Sequence, residues 1–175
     1  MLRKAWEGDV AALLALIESH AQRNLLLPRT EESLRARLDD FVVAVEDGEV
    51  VACGALSPLS PELGEVRSLA VREEQGGEGV GRAIVERLLE DAAERGFSEV
   101  LALTRRVSFF EALGFVVTER ERFLDKLAVD CKTCPMNLCC DETAMLRPAA
   151  QSAARRQDAK HVRAEQGRTE GAYVI

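Results

Sequence analysis

The chain has 175 residues, 47% hydrophobic and 30% charged, which is enough for one domain with a proper core and too short for two comfortable ones. Its net charge of −7 argues against nucleic acid as the main partner, because phosphate binding needs clustered positive charge. No apolar run approaches the roughly 20 residues that cross a bilayer, and the start, MLRKAWEGDV, has no signal-peptide core, so a cytoplasmic protein with no membrane partner is expected.

In chain order, residues 2–5 read as a short edge strand. Asp9 is placed to cap a helix carrying Val10, Leu13, Leu14 and Ile17 at helical spacing. Pro28 in LLLPRT breaks that pattern, and Thr30 or Ser33 can cap a second short helix with Leu34 and Leu38 inward. FVVAVEDGEVVACGAL reads as two strands joined at Asp47-Gly48, a strong hairpin signal. Residues 63–71 form a further strand. The apolar stripe Ile84, Val85, Leu88, Leu89, Ala92 marks an amphipathic helix over 81–95, stopped at Gly96. EVLALT, 99–104, reads as a buried strand, followed by a short helix over 107–113 that stops at Gly114 and by a strand opening at FVV. Strand, loop, helix, strand implies a right-handed crossover between parallel neighbours. Residues 148–175 have few large apolar side chains and read as a polar tail, expected to be mobile.

Between the strand at 63–71 and the long helix lies QGGEGVGRAI, four glycines in seven residues. Each glycine loses more backbone entropy on ordering than any other residue, so such a cluster needs a reason. At a strand-to-helix junction the reason is anion binding, by free N–H groups and the helix dipole. A P-loop would need Lys-Ser/Thr after the last glycine, where Arg82-Ala83 stands. A dinucleotide fold would need its glycines near the first strand, and several elements come earlier here. Both are disfavoured, and a third option is a pyrophosphate carried by coenzyme A.

On these residues the chain resembles the GNAT family of N-acetyltransferases. VRSLAVREEQGGEGVGRAIVERLLEDAAERG is similar to their acyl-CoA-binding core, and SFFEALGF to their closing segment. Gly79 and Gly81 match the glycines of the family's Gln/Arg-x-x-Gly-x-Gly/Ala pattern, while Gly76 stands where the family has Gln or Arg. That departure removes a side chain but keeps the backbone N–H cradle, which leaves weaker cofactor binding or partial substitution by Gln75 as the alternatives. The resemblance implies a single α/β domain over residues 1–147, with a mixed, splayed central sheet, helices on both faces, and acetyl-CoA in the cleft. The backbone of Leu69, Ala70 and Val71 would meet the acetyl and pantetheine groups. The N–H groups of Gly76, Gly77, Glu78, Gly79, Val80, Gly81 and Arg82 would take the pyrophosphate. A neutral amine attacks the thioester directly in such enzymes, with no acyl-enzyme, and needs a base for its proton. Glu65 falls where histone-modifying members carry that base, and strand alternation puts Arg67 on the same face. Phe110 stands where the family's usual leaving-group acid is a tyrosine.

Three further segments point to an acidic acceptor. Thr104-Arg105-Arg106 puts two arginines at a strand end opening a helix, where a guanidinium binds carboxylate in bidentate fashion. The body of the chain is acidic, and it can bind an acidic ligand only where arginines are focused in this way. The turn resembles the Thr-Arg turn of N-acetylglutamate synthases, LLPRT resembles a motif of their short, kinase-less members, and VDCKTCPMNLCCDETAM resembles their Cys-rich closing segment. The resemblance implies L-glutamate as acceptor, in the first step of arginine biosynthesis, its carboxylates met by Arg105 with Arg67, Arg106, Arg29 or Lys126. The rivals are another amine on the same fold, whether another amino acid, a polyamine or a protein N-terminus, and a non-catalytic acyl-CoA sensor working through its cysteines. Within the Cys-rich segment, 130–142, Cys131, Cys134 and Cys140 have partial zinc-site spacing, but packed reduced thiols are the preferred reading over metal. Homo-oligomerisation is left open.

Overall fold

Among the residues that the structure, a computed structural model, describes (1–77, 79–123, 134 and 140–149), seven strands form one sheet. They are β1 (Leu2–Lys4), β2 (Phe41–Glu46), β3 (Glu49–Pro58), β4 (Leu63–Val71), β5 (Glu99–Thr104), β6 (Val116–Val117) and β7 (Thr143–Pro148). Their order is β1-β2-β3-β4-β5-β7-β6, antiparallel throughout except for the β4–β5 pair. The helices are α1 (Val10–Ala21), α2 (Glu31–Arg35), α3 (Val80–Glu94) and α4 (Val107–Glu111). The sheet is therefore mixed, as expected, and α3 makes the crossover between its parallel strands.

Local chemistry accounts for most of these elements. The β2–β3 hairpin closes on Asp47 (φ 49°) and Gly48 (φ 84°), the two left-handed residues of a type I′ turn. Thr30 caps α2 by accepting from the Ser33 N–H at 3.1 Å. Gly96, at φ 81°, ends α3 in a Schellman motif, Phe97 N–H donating to the Ala92 carbonyl at 3.0 Å and Gly96 N–H to Ala93 at 3.1 Å. Asp9 behaves differently from the expectation. It lies in a 3-10 turn just before α1, and its carboxylate accepts from the Trp6 N–H at 3.0 Å and from Arg3 at 2.6 and 2.8 Å instead of capping the helix.

Each face of the sheet carries its own core. On one face Val42, Leu56, Val66, Leu69 and Val71 pack with Ile84, Val85, Leu88 and Ala92 of α3 and with Phe110 and Phe115. On the other, Phe41, Val43, Cys53, Ala55 and Ala70 pack with Leu13, Leu16 and Ile17 of α1 and Leu34 of α2. Each of the large aliphatic residues of α3 that is fully buried contributes about 1.5–3 kcal/mol. The helix seats closely because β3 has no side chain at Gly54, where a Cβ would lie 2.7 Å from Ile84 Cγ2. At its far end Arg95 donates to the Leu56 carbonyl at 2.8 Å, and buried Asp91 meets Lys4 Nζ at 2.5 Å. These contacts hold α3, and so its N-terminus, against the sheet.

Candidate active site

Two irregularities of β4 open the sheet. Its parallel pairing with β5 runs from Leu63 opposite Glu99 to Val66 opposite Ala102, yet β4 continues to Val71 and β5 to Thr104. Beyond Val66 the two strands part, which leaves the backbone groups of Leu69, Ala70 and Val71 on an edge that no described strand covers. The divergence coincides with a β-bulge. Cys53 pairs with Ala70 and Ala55 with Arg67, so Ser68 and Leu69 together oppose Gly54. Ser68 takes a left-handed backbone (φ 51°), strained for a residue with a Cβ, and is held there by its neighbours. Its carbonyl accepts from Cys53 Sγ at 3.5 Å, and its hydroxyl from Arg29 Nη2 at 3.4 Å.

The glycine loop sits past the C-terminal end of β4. Gly77 (φ 87°) and Gly79 (φ 83°) both need the left-handed region, and Gly79 is the N-cap of α3. A Cβ at either would meet no protein atom within 4 Å, so the loop faces open space that its own chain leaves unfilled. The first helical hydrogen bond is from Ala83 N–H to the Gly79 carbonyl, at 3.0 Å. The N–H groups of Val80, Gly81 and Arg82 precede it, and the first turn carries no acidic residue. This geometry fits a phosphate-bearing donor. Gly76 has φ −63° and ψ 131°, a conformation open to any residue, so the backbone does not require glycine there. Gln75, one candidate to stand in for the missing side chain, turns its amide to the hairpin and donates to Glu46 Oε2 at 2.5 Å. The Arg82 side chain braces α3, donating to the Ala112 carbonyl at 3.1 Å. Glu78 lies outside the described residues.

Glu65 and Arg67 share the face turned from α3, as strand alternation requires. Glu65 is buried, with Ser57 and Leu101 beside it on the neighbouring strands, and its Oε2 lies 3.6 Å from Arg67 Nε. The connection from α1 to α2 bridges the open end of the sheet, since Arg29 reaches the bulge and the Asn24 carbonyl accepts from Arg105 Nη1 at 3.1 Å. Asn24 is left-handed (φ 57°). Arg105 Nε also donates to Asp141 Oδ1, on the segment that leads into β7. That bond raises the guanidinium pKa above its ordinary value and holds the Asp141 carboxyl below the usual carboxylate range. The Arg106 N–H donates to Thr104 Oγ1 at 2.8 Å, where α4 begins.

Of the residues expected at the site, Glu65 and Arg67 lie together on β4, Arg29 reaches Ser68 at the bulge, and Arg105 and Arg106 follow the end of β5 into α4. Lys126 and Cys131 lie outside the described residues. Cys134 and Cys140 are free thiols, and among the described residues no three His, Cys, Asp or Glu side chains gather as a metal site. Phe110 is wholly buried, edge-to-face with Phe115 at 5.1 Å between centroids, and its ring has no hydroxyl to offer a leaving thiolate. Ser68, Asn24 and Asp141 went unnoticed in the sequence. For Ser68 the available signal was Gly54, across the hairpin; for Asp141 it was the acidic pair before TAMLRP.

A crossover helix whose glycine N-cap faces open space, beside two parallel strands that part, defines a fold for holding an acyl-CoA thioester against an acceptor. The family model of the Acetyltransferase (GNAT) family matches residues 10–115, more than half the chain. The chain belongs to that family, and it is an N-acyltransferase that draws on acetyl-CoA. It is 36% identical over 146 residues to an uncharacterized N-acetyltransferase of Chlorobaculum tepidum, covering 83% of this chain and 94% of that one. It is 37% identical over 122 residues to the amino-acid acetyltransferase of Mycobacterium tuberculosis, covering 68% and 70%. A Mycobacterium tuberculosis structure in complex with CoA and NLQ superposes with a TM-score of 0.73 at 30% identity, covering 85% of this chain and 98% of that one. No described helix is long and apolar enough to cross a membrane.

Proposed function

We propose that the chain transfers the acetyl group of acetyl-CoA to the α-amine of L-glutamate, the first step of arginine biosynthesis, in the cytoplasm. The observation that carries this reading is the placing of a buried carboxylate, Glu65, beside Arg67 on β4, with Arg29 on the bulge at Ser68 and Arg105 just past the end of β5. Similarity to an amino-acid acetyltransferase supports an amino acid as the acceptor.

In this reading the edge of Leu69, Ala70 and Val71 aligns the donor, and the N–H groups from Gly77 to Arg82 hold its pyrophosphate, that of Gly76 being already given to the Glu73 carbonyl at 3.0 Å. The donor supplies an activated thioester carbonyl. Glu65 takes the proton that the amine must shed, directly or through one water, with Arg67 Nε 3.6 Å from its Oε2. Arg105, with one or more of Arg29, Arg67, Arg106 and Lys126, meets the acceptor carboxylates. With phenylalanine at position 110, solvent protonates the departing thiolate. A polyamine would want carboxylates where these arginines stand, which makes it the weaker acceptor.

The test is release of CoA thiol from acetyl-CoA with each common amino acid in turn, with and without added arginine. Release with glutamate above all others is the expected result. Silence on every amino acid, with acetyl-CoA still bound, would overturn the acceptor assignment. Loss of turnover with arginine would show feedback control.

A further inference from the structure

The acceptor site carries a carboxylate of its own. Thr104 is paired with Thr143, so the residues past each strand end, Arg105-Arg106 and Asp141-Glu142, run alongside one another and bring two acidic residues against two basic ones. The guanidinium of Arg105 presents donors along two edges, Nε with Nη2 and Nη1 with Nη2. One position on each edge is already filled: Nε by Asp141 Oδ1, and Nη1 by the Asn24 carbonyl. An incoming carboxylate can bind in bidentate fashion only where one of these yields. The Asn24 carbonyl belongs to the chain between α1 and α2. The Asp141 side chain, in contrast, is 65% exposed and lies just outside β7, so it can swing into solvent at little cost.

We propose that Asp141 is a specificity-determining residue of the acceptor site, its carboxylate occupying Arg105 as a carboxylate of the acceptor would, so that a dicarboxylic amino acid engages Arg105 only by displacing it. The inference rests on Arg105 being the ligand of the acceptor's side-chain carboxylate. Its consequence is a handicap that falls on charge. Glutamate must compete with Asp141 and approach Glu142, whereas a neutral carboxamide of the same shape, as in glutamine, is repelled by neither. The Asp141–Glu142 pair thus tunes how strongly the site prefers a second negative charge.

The experiment compares wild type, Asp141→Asn and Asp141→Ala in kcat/KM for L-glutamate and L-glutamine, with the KM of acetyl-CoA followed in parallel at fixed ionic strength. Both variants are expected to lower the glutamate KM and to raise the glutamate-to-glutamine ratio by about threefold, the scale of one exposed ion pair. The acetyl-CoA KM should stay in place, and added salt should narrow the gap. A ratio that is unchanged, or that falls, while wild type turns over glutamate would overturn the role of Asp141 and leave the acceptor assignment standing. A wild type that binds acetyl-CoA but acetylates neither amino acid would overturn the acceptor assignment, and this inference with it.

Discussion

Gly54→Ala should loosen the seat of α3 and, through it, the donor site. The new methyl would lie 2.7 Å from Ile84 Cγ2, 3.1 Å from Leu88 Cδ1 and 3.4 Å from Leu69 Cδ1. Ordinary carbon contacts are about 3.5–4.0 Å, so Ile84 must retreat by about 1 Å. Overpacking of this kind costs about 1–3 kcal/mol, or a fall of about 2–10 °C in Tm for a chain of this size. Ile84 stands one turn into α3, so the retreat also carries the N–H groups of its first turn off their line. Loss of one charge-assisted hydrogen bond there would raise the acetyl-CoA KM by about tenfold. The decisive assay is a double-mutant cycle by thermal denaturation. Ile84→Ala alone should cost about 2–5 kcal/mol by leaving a cavity. Combined with Gly54→Ala, the added methyl fills part of that cavity, and the pair should cost less than the two single changes together by about 0.5–3 kcal/mol. Strict additivity, or a Gly54→Ala protein with wild-type Tm and acetyl-CoA KM, would refute close packing at Gly54 as the device that positions α3.

Glu65→Gln keeps the shape and removes the base, so kcat should drop by about 10²–10⁴-fold while the acetyl-CoA KM holds; steady-state kinetics giving a kcat near wild type would remove Glu65 from proton transfer. Asp9 has its pKa lowered, first by the hydrogen bond from Arg3, so it stabilises the fold fully above its unfolded value of 3.8, and the contribution disappears as pH falls through the lower folded value. Denaturant titrations should therefore show Asp9→Asn less stable at neutral pH, with the gap to wild type closing below about pH 4; a gap independent of pH would refute the pairing. Burial pushes the Cys53 thiol up to about 12, so it stays protonated and inert. Thiol titration should count the same reactive groups in native wild type and native Cys53→Ala, and one fewer in the unfolded variant.

What could be read from the chain follows from the range of the interactions involved. The Asp47-Gly48 hairpin, β5 and the stripe of α3 depend on neighbours a few residues apart, and each was legible to within a residue or so. The anion-binding loop was legible for the same reason, since its glycines act through their own φ angles. β7 was not foreseen: TAMLRP has only a short apolar run, and it becomes a strand by slotting between β5 and β6 from far along the chain. Asp9 and Arg105 show a second limit. The type and place of each charge were plain, but its partner was not. Arg3 takes Asp9 from the cap it could have made, and Asp141 reaches Arg105 only because β7 lies beside β5. Ser68 shows a third, because its left-handed backbone is imposed by Gly54, Cys53 and Arg29 around it.

The bulge at Ser68 does two things that a regular strand could not do together. Strict alternation from Val66 would send Ser68 and Ala70 toward α3, and Leu69 and Val71 toward α1. The extra residue shifts the phase, so that Val66, Leu69 and Val71 all join the core under α3, while Arg67 and Ala70 stay on the face of Glu65. The same extra residue bends β4 away from β5 just past the last paired residue, Val66. Core packing and the opening for the donor therefore share one cause. A regular β3–β4 ladder that kept Ser68 in line would turn Leu69 and Val71 out of the α3 core, a loss of about 1.5–3 kcal/mol for each buried aliphatic side chain. The fold keeps the strain at Ser68 because relieving it would cost more apolar burial than the strained residue does, and the cleft between β4 and β5 is the consequence.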